Sequence, residues 1–166
     1  MPPTTPSTSE FRLALGQFAT GVTVVTAERA PGQVHGMTAN SFTSVSLDPL
    51  LVLICVSEFA QLLPMLRHHK RFGVNILKKD QQAISEYFAQ TEDNPGVERN
   101  LDIRYRWTPS GIPLLEDVLA HLACNVVASY IAGDHTIFIA EVESLEIFDG
   151  EPLLYLRGDY RRLAPG

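Results

Sequence analysis

The pattern of apolar and polar positions divides the chain into short segments, most of which have the character of β-strands. Residues 22–28 (VTVVTAE) are β-branched, residues 30–33 (APGQ) are typical of a turn, and residues 34–39 (VHGMTA) lead back, which predicts a β-hairpin. Residues 50–56 (LLVLICV) are continuously apolar, which predicts a central strand that is buried on both faces. Residues 71–77 (RFGVNIL) are a further strand candidate.

The last third of the chain predicts a second, longer hairpin. Apolar or small residues recur there with a period of two, the spacing of a strand with one buried face: Leu122, Cys124, Val126 and Ala128. A turn at residues 132–134 (AGD) leads into residues 135–148, which continue as a strand. Residues 152–157 (PLLYLR) predict the final strand, and residues 158–166 are interpreted as a tail.

Helical spacing is confined to a few short segments. Ser7 and Glu10 form a capping-box pattern, and the helix that follows is expected to end near Gly21; its apolar positions are Phe11, Leu15 and Phe18. A second helix is predicted at residues 62–66, with Pro64 in its first turn. Asp80 is the expected N-cap of a third helix over residues 81–90, and residues 91–100 are expected to form a loop.

Strands therefore outnumber helices and do not alternate with them, which indicates a mainly β, antiparallel barrel with a few short flanking helices rather than a doubly wound α/β sheet. The glycine patterns agree, because neither GxGxxG nor GxxxxGK[ST] occurs in the sequence. A nucleotide would have to be bound in another way.

Composition and charge narrow the class of protein. The 166 residues suit one domain, expected at 9–166 after a disordered leader at 1–8, and the N-terminus has no secretory signal pattern. The longest apolar run has seven residues, whereas a membrane span needs about 20. We therefore expect a cytoplasmic protein without a membrane partner. The net charge of −6 disfavours nucleic acid as a partner.

The cysteines and histidines do not have the spacing of a metal site. Cys55 and Cys124 each lie in an apolar segment without CxxC spacing, which predicts two buried free thiols. The histidines form no ligand pair at helical spacing, so no metal is expected. A basic run at residues 67–71 (RHHKR) is interpreted either as a solvated helix end or as a phosphate-steering patch.

The segment with the most distinctive chemistry is residues 36–49 (GMTANSFTSVSLDP), which lies between two apolar strands. It carries six small polar side chains: Thr38, Asn40, Ser41, Thr43, Ser44 and Ser46. Hydroxyl, amide and backbone N–H groups at this density can bind a heterocycle or a phosphate. An exposed Ser/Thr-rich strand and turn would have the same composition, so the residue pattern alone leaves both interpretations open.

His135 follows Gly133 and Asp134 at the predicted turn of the long hairpin. A histidine at such a turn can project over the mouth of a barrel and orient a substrate, or it can simply form local hydrogen bonds. A serine hydrolase is not favoured, because the GxSxG pattern of a nucleophile elbow is absent.

Five segments together resemble a known family, the short-chain NAD(P)H:flavin oxidoreductases, which have an FMN-binding split β-barrel. These enzymes are the flavin reductase components of two-component flavin-dependent monooxygenases. The similar segments are residues 11–26, 35–57, 71–89, 133–142 and 152–163. The resemblance covers nearly the whole chain and implies an antiparallel split β-barrel with short flanking helices.

The resemblance also implies a set of site residues. Thr38, Ala39, Asn40 and Ser41 match the segment that lies against the isoalloxazine ring. Five positions match the path of the ribityl chain and phosphate: Ser46, Cys55, Val56, Ser57 and Gln61. His135 matches the histidine that approaches the nicotinamide, which makes it the expected catalytic position, and Phe88 and Tyr160 match positions near the pocket. The sequence departs from the family at Leu50, which replaces a second proline, and at Gln61, where some relatives carry a basic residue.

The implied reaction is hydride transfer from C4 of a nicotinamide to N5 of FMN or FAD. It requires stacked rings but no obligatory acid or base on the protein. NADH is preferred to NADPH, because no arginine pair for a 2′-phosphate stands near the motifs. The expected partners are a second copy of the chain in a homodimer and a separate oxygenase, with aromatic or phenol hydroxylation as its reaction. Two alternatives remain: a non-catalytic flavin-binding or storage protein, and a reductase of another bound cofactor, such as a corrinoid.

Overall fold

The computed structural model describes residues 5–90 and 94–164, and strands dominate this part of the chain. Its helices are α1 (Thr8–Leu15), α2 (Leu62–His69), α3 (Gln82–Phe88) and α4 (Pro95–Asn100). Its strands are β1 (Thr20–Gly21), β2 (Thr23–Ala30), β3 (Gln33–Ala39), β4 (Phe42–Leu47), β5 (Leu50–Ser57), β6 (Arg71–Ile76), β7 (Tyr105–Trp107), β8 (Pro113–Leu115), β9 (Ala120–Ala132), β10 (His135–Ile147), β11 (Leu154–Leu156) and β12 (Asp159–Arg161).

The main sheet has the strand order β3-β2-β6-β9-β10-β5-β4, and every neighbouring pair is antiparallel. Its two edge strands, β3 and β4, are consecutive in the chain and are joined only by Asn40 and Ser41. Three residue steps span at most about 11 Å, whereas a flat seven-stranded sheet would be about 29 Å wide. The sheet must therefore curl until its edges approach each other, which gives the predicted antiparallel split β-barrel.

Two apolar cores hold the curled sheet. The first lies between the main sheet and α2 and includes Ile54, Leu66, Phe72 and Phe138, all fully buried. The second lies beneath α3 and the β11–β12 hairpin, around Val24, Leu77, Phe88 and Leu153.

Asn75 of β6 joins the barrel to β8 through a buried polar contact. Its side-chain amide donates to the carbonyl of Val24 at 2.9 Å and to Thr26 Oγ1 at 3.0 Å, and its Oδ1 accepts from the N–H of Leu115 at 2.8 Å. These bonds satisfy a fully buried amide that would otherwise destabilise the core.

The prediction that β5 is buried on both faces is wrong for the isolated chain. Val52, Ile54 and Val56 are buried, but the alternate residues Leu51, Leu53 and Cys55 are only half-buried. The strand also lies second from the edge of the sheet rather than at its centre. Its inner face packs on the core, while nothing in the described part of this chain fully covers its outer face.

The predicted helices are present, but some of their ends differ from the prediction. The capping box of α1 is present, with Glu10 N–H donating to Ser7 Oγ at 3.2 Å, but the helix ends at Leu15 rather than near Gly21. None of its residues is buried, so its apolar side chains face solvent in the single chain. The leader predicted at 1–8 overlaps this cap, and residues 1–4 lie outside the described residues.

Asp80 is not the N-cap of α3. Gln81 occupies that position, and its side chain serves other groups: Oε1 accepts from Lys78 N–H at 2.8 Å and Nε2 donates to the Asp117 carbonyl at 2.7 Å. The predicted loop at 91–100 is also wrong at its end, because Asn94 caps a short helix, α4, with Pro95 in its first turn. Residues 91–93 lie outside the described residues.

The predicted tail after residue 157 instead contains a strand. Arg157 and Gly158 have positive φ angles of 55° and 81°, which form a tight turn, and β12 then pairs with β11. β11 also pairs with β1, so both ends of the described chain meet in one small sheet.

Both cysteines are free thiols, as predicted. Cys124 is fully buried, and burial raises the pKa of its thiol to about 12. Cys55 is only half-buried, so the prediction of two buried thiols is wrong for this residue; its partial burial raises the pKa of its thiol.

We expect Gly73→Ala to lower the free energy of unfolding by about 2 kcal/mol, because it overpacks the core. A Cβ at Gly73 would lie 2.6 Å from both the Pro113 carbonyl oxygen and Thr26 Oγ1. Urea denaturation measures the change, with Gly21→Ala as the matched control, since a Cβ at Gly21 would meet no atom within 4 Å. Equal stability of the two variants would contradict the close approach of β6 to β8.

Candidate functional site

A small cleft lies at the end of β3, between the β3–β4 link, α3 and the β11–β12 hairpin. At its base are Thr38 and Ala39, which are half-buried, and Asn40, which is exposed. The cleft has a volume of about 170 Å³, and its lining residues are Val22, Thr38, Ala39, Asn40, Ser85, Ala89, Tyr155 and Tyr160. The structure therefore brings Tyr160, a residue of the last strand, beside the Ser/Thr-rich segment.

A chain of hydrogen bonds fixes one wall of this cleft. Thr38 Oγ1 donates to the Ser85 carbonyl at 2.6 Å, and Ser85 Oγ lies 2.8 Å from Tyr160 OH. Ser85 is fully buried, and Tyr160 packs edge-on against Tyr155, with their ring centroids 5.3 Å apart. The bonds connect β3, α3 and β12, three elements that are distant in sequence.

Ser41 anchors the link between β3 and β4. Its hydroxyl donates to the Cys55 carbonyl at 2.9 Å, and the Cys55 N–H donates to the Ser41 carbonyl at 3.3 Å. The link between the edge strands is thereby bonded to β5. Asn40, which lies between Ala39 of the cleft and the anchored Ser41, is exposed to solvent.

Several of the other predicted residues share the outer face of the sheet. His135 is paired directly with Ser57, Ile137 with Cys55, and Ser46 with Leu51. Since residues directly opposite each other lie on the same face, Ser46, Cys55, Ser57 and His135 all face away from the core. The strands place these four residues on one surface.

Two of the predicted residues on β4 and β5 have side chains that contact other parts of the protein. The Val56 side chain is fully buried in the core, so only its backbone can reach a ligand. Ser46 Oγ accepts from Asp48 N–H at 3.2 Å, in the turn that carries the cis Asp48–Pro49 bond.

His135 marks the far end of this face. Its Nδ1 lies 2.7 Å from Asp134 Oδ1, and its side chain remains 45% exposed. The hydrogen bond from His135, together with its charge, lowers the pKa of Asp134. The aspartate is therefore ionised at neutral pH and holds the histidine ring in one orientation.

A second cleft, of about 280 Å³, adjoins the first at Ala89. Phe88 forms part of its wall and packs flat on β3, where a Cβ at Gly36 would lie 2.5 Å from the Phe88 ring. Gln61 lies at its rim, and its Oε1 accepts a hydrogen bond from Arg29 Nη2 at 3.1 Å. The position that lacks a basic residue in the sequence therefore has a guanidinium beside it.

Sequence reasoning missed Ser85 and Arg29. Ser85 is a buried polar residue on the inner face of α3, a placement that helical periodicity alone does not distinguish from an ordinary polar position. Arg29 lies at the end of β2, 32 residues before Gln61, and no local pattern connects the two.

Two other features, a metal site and a membrane-spanning helix, are not found among the described residues. In residues 5–90 and 94–164, no three side chains among His, Cys, Asp and Glu lie close enough together to hold a metal ion. No helix in the same part of the chain is both long and apolar enough to cross a membrane.

Comparison with known proteins identifies the family. Residues 15–164 match the model of the flavin reductase like domain. This chain belongs to the flavin reductase family. An NADH-dependent flavin reductase of Rhodococcus is 46% identical over 155 residues, which cover 92% of this chain and 85% of the relative. The reductase component of 4-hydroxyphenylacetate 3-monooxygenase of Thermus thermophilus is 40% identical, over 92% of this chain and 95% of the relative.

Among solved structures, an NADH:FAD oxidoreductase of Streptomyces globisporus, in complex with NAD and FAD fragments, superposes with a TM-score of 0.85. It is 39% identical, and the match covers 95% of this chain and 93% of that one. The split-barrel fold, the enzyme class of oxidoreductase, and flavin and nicotinamide as cofactors are thereby confirmed for this flavin reductase. The roles given above to individual site residues stay predictions.

The residues in the cleft and on the outer face of β4 and β5 fit a flavin. The amide of Asn40 and the hydroxyls of Ser46 and Ser57 offer both donors and acceptors, as a heterocycle with a polar side chain requires. The Arg29–Gln61 pair adds positive charge at the rim of the adjoining cleft, where an anionic group would bind favourably.

We expect Tyr160→Phe to weaken flavin binding about three- to ten-fold, because it removes a hydrogen bond worth about 1 kcal/mol from the cleft wall. Fluorescence quenching during FMN titration measures the dissociation constant. Tyr105→Phe is the matched control, since it also removes a tyrosine hydrogen bond, to Glu98 at 2.7 Å, but away from the cleft. Equal affinities of the two variants would remove Tyr160 from the site.

Proposed function

We propose that this protein uses NADH to reduce FMN or FAD and that the reduced flavin then leaves for a separate oxygenase. The observation that carries the proposal is that the cleft at Thr38–Asn40 and the ring of His135 are both open to solvent. Reductases that bind the flavin and the nicotinamide together need both sites to be open.

The roles of the residues follow from their positions. Thr38, Ala39, Asn40 and Ser41 lie along the ring of the flavin, and their small side chains let a planar group approach closely. Ser46, Ser57 and the backbone of Cys55 and Val56 line the path of the ribityl chain. Gln61 and Arg29 face the phosphate, and Phe88 and Tyr160 form the walls.

His135 positions the nicotinamide. A bound flavin supplies the acceptor for the hydride, so the chain itself needs no acid or base at the reacting atoms. Its contribution is to align two rings at about 3–3.5 Å and to exclude other geometries. The neutral side chains of the cleft suit this task, because none of them reacts with the hydride.

The openness of the site favours a flavin that exchanges. The cleft of about 170 Å³ is smaller than the roughly 300–1,000 Å³ of sites that enclose small molecules, so one chain leaves much of the flavin exposed. A dissociable flavin is what a reductase that serves a second protein requires. Permanent flavin storage, the alternative left open by the sequence, would require a more enclosed site.

We also propose a homodimer whose interface covers the apolar part of the outer face and leaves the end at Ser57 and His135 open. The half-buried Leu51, Leu53, Ile137 and Ile139 form an apolar surface on β5 and β10, and Leu47 on β4 is 85% exposed. Apolar side chains of α1 and of the turn after it are exposed as well, at Phe11, Leu13, Leu15 and Phe18. Apolar surfaces of this extent mark interfaces.

The proposed oxygenase acts on an aromatic compound, since one relative is the reductase component of a 4-hydroxyphenylacetate monooxygenase. We place the protein in the cytoplasm, where NADH is available. The net charge of −6 disfavours a nucleic-acid partner.

We expect the purified protein to oxidise NADH in air only when flavin is added, as measured by loss of absorbance at 340 nm. Comparison of FMN, FAD and riboflavin ranks the acceptors. His135→Ala should raise the KM for NADH about ten-fold with flavin affinity retained, because it removes a nicotinamide contact. A folded protein that binds flavin and leaves NADH unoxidised would contradict the proposed function.

Light scattering after size exclusion should give twice the 18.4 kDa of one chain. Leu53→Lys places a charge on the outer face of β5 and should shift the mass toward the monomer, because a desolvated charge opposes association. Val97→Lys, at a partly exposed apolar position on α4, is the control. A dimer that persists in Leu53→Lys would move the interface to another face, and a monomeric wild type would contradict the dimer itself.

A further inference from the structure

Glu58, the first residue after β5, bonds to both neighbours of His135. Its backbone N–H donates to the Asp134 carbonyl at 2.9 Å, and its carboxylate accepts a hydrogen bond from Thr136 Oγ1. One residue thereby holds the backbone on each side of the histidine.

Arg67 of α2 completes this arrangement. Its Nη2 donates to the two carboxylate oxygens of Glu58 at 3.0 and 3.1 Å and to Thr136 Oγ1 at 3.2 Å. Thr136 is 2% exposed, whereas the Glu58 side chain is 28% exposed. We call Glu58, Arg67 and Thr136 the Glu58 cluster; it connects the β5–α2 loop, α2 and β10.

The carboxylate of this cluster is ionised at neutral pH. The hydrogen bond from Thr136 and the positive charge of Arg67 lower the pKa of Glu58, against the opposing effect of partial burial. A charged acceptor makes these hydrogen bonds stronger than neutral ones.

The cluster lies on the opposite side of β10 from the nicotinamide site. Side chains of successive strand residues point to opposite faces, so Thr136 faces inward and His135 faces outward. Residues 129–134, at the tip of the β9–β10 hairpin, are all exposed. The tip that carries His135 therefore has little packing of its own, and the bonds to Glu58 fix its position relative to β5.

We propose that the Glu58 cluster is a positioning device that holds the Asp134–Thr136 backbone so that His135 meets the nicotinamide in one orientation. The inference rests on the proposed role of His135 in NADH binding. Its members are positioning residues, since they act through the backbone and do not touch the nucleotide. The Glu58 carboxylate therefore positions the backbone and does not transfer a proton.

The decisive comparison is between Thr136→Val and Thr136→Ser. Valine keeps the β-branched shape and loses the hydroxyl, so we expect the KM for NADH to rise about five-fold, with kcat and flavin affinity within about two-fold of wild type. Serine keeps the hydroxyl, so Thr136→Ser should have the wild-type KM for NADH. Glu151→Gln, which breaks the exposed 2.8 Å pair with Lys79 elsewhere on the surface, is the control for loss of a charge contact.

A double-mutant cycle decides whether the cluster acts through His135. In the His135→Ala background, Thr136→Val should no longer change the KM for NADH, because the group that it positions is gone. The same fold-change in both backgrounds, or an unchanged KM in Thr136→Val alone, would overturn the proposal.

A measurement that does not depend on turnover separates this proposal from the proposed function. Amide hydrogen exchange at Glu58 reports the bond to the Asp134 carbonyl, and Thr136→Val should accelerate it about ten-fold or more through local opening, whereas Glu151→Gln should not. Failure of the wild type to oxidise NADH would contradict the proposed function. Unchanged amide exchange at Glu58 in Thr136→Val would independently overturn the positioning device.

Discussion

The fold and the site both depend on the two-residue link between β3 and β4. Because Asn40 and Ser41 must connect the outermost strands of a seven-stranded sheet, the sheet has to curl, and the cleft lies where β3 runs into this link, against α3 and the β11–β12 hairpin. Ser41 then bonds the link to β5 and Thr38 bonds it to α3, so the opening has a fixed width. A backbone constraint that closes the barrel therefore also creates the binding surface.

The side chains at this surface follow from the alternation of inward- and outward-facing residues along each strand. The core uses the inward-facing residues of each strand, which leaves the outward-facing residues of β5 and β10 free to contact ligands or a second chain. Most of those at the cleft are small and neutral, as suits the alignment of two planar rings. The charges lie at its ends, with Arg29 beside Gln61 at one end and Asp134 beside His135 at the other.

Much of this arrangement could be predicted from the sequence, for identifiable reasons. The period-two pattern and the turn at Gly133–Asp134 locate the long hairpin, and local motifs such as Ser7–Glu10 locate a helix start. Burial on both faces of β5 was predicted because continuous apolar sequence does not distinguish contact with the core from contact with another chain. Gln81 displaced Asp80 as the N-cap because its side chain bonds Asp117, 36 residues away. Arg29 and Ser85 join the site only through such distant contacts, which no local window contains.

The two ends of the candidate site differ in how much of the fold supports them. The cleft at Thr38–Asn40 is bonded to α3 and β12, while His135 lies beside an exposed hairpin tip that is held by β5 and the Glu58 cluster. With the roles proposed above, substitutions at the exposed tip would alter the nicotinamide end of the site and leave the cleft intact. Such a division would let enzymes of this fold diversify their choice of reductant while the barrel stays unchanged.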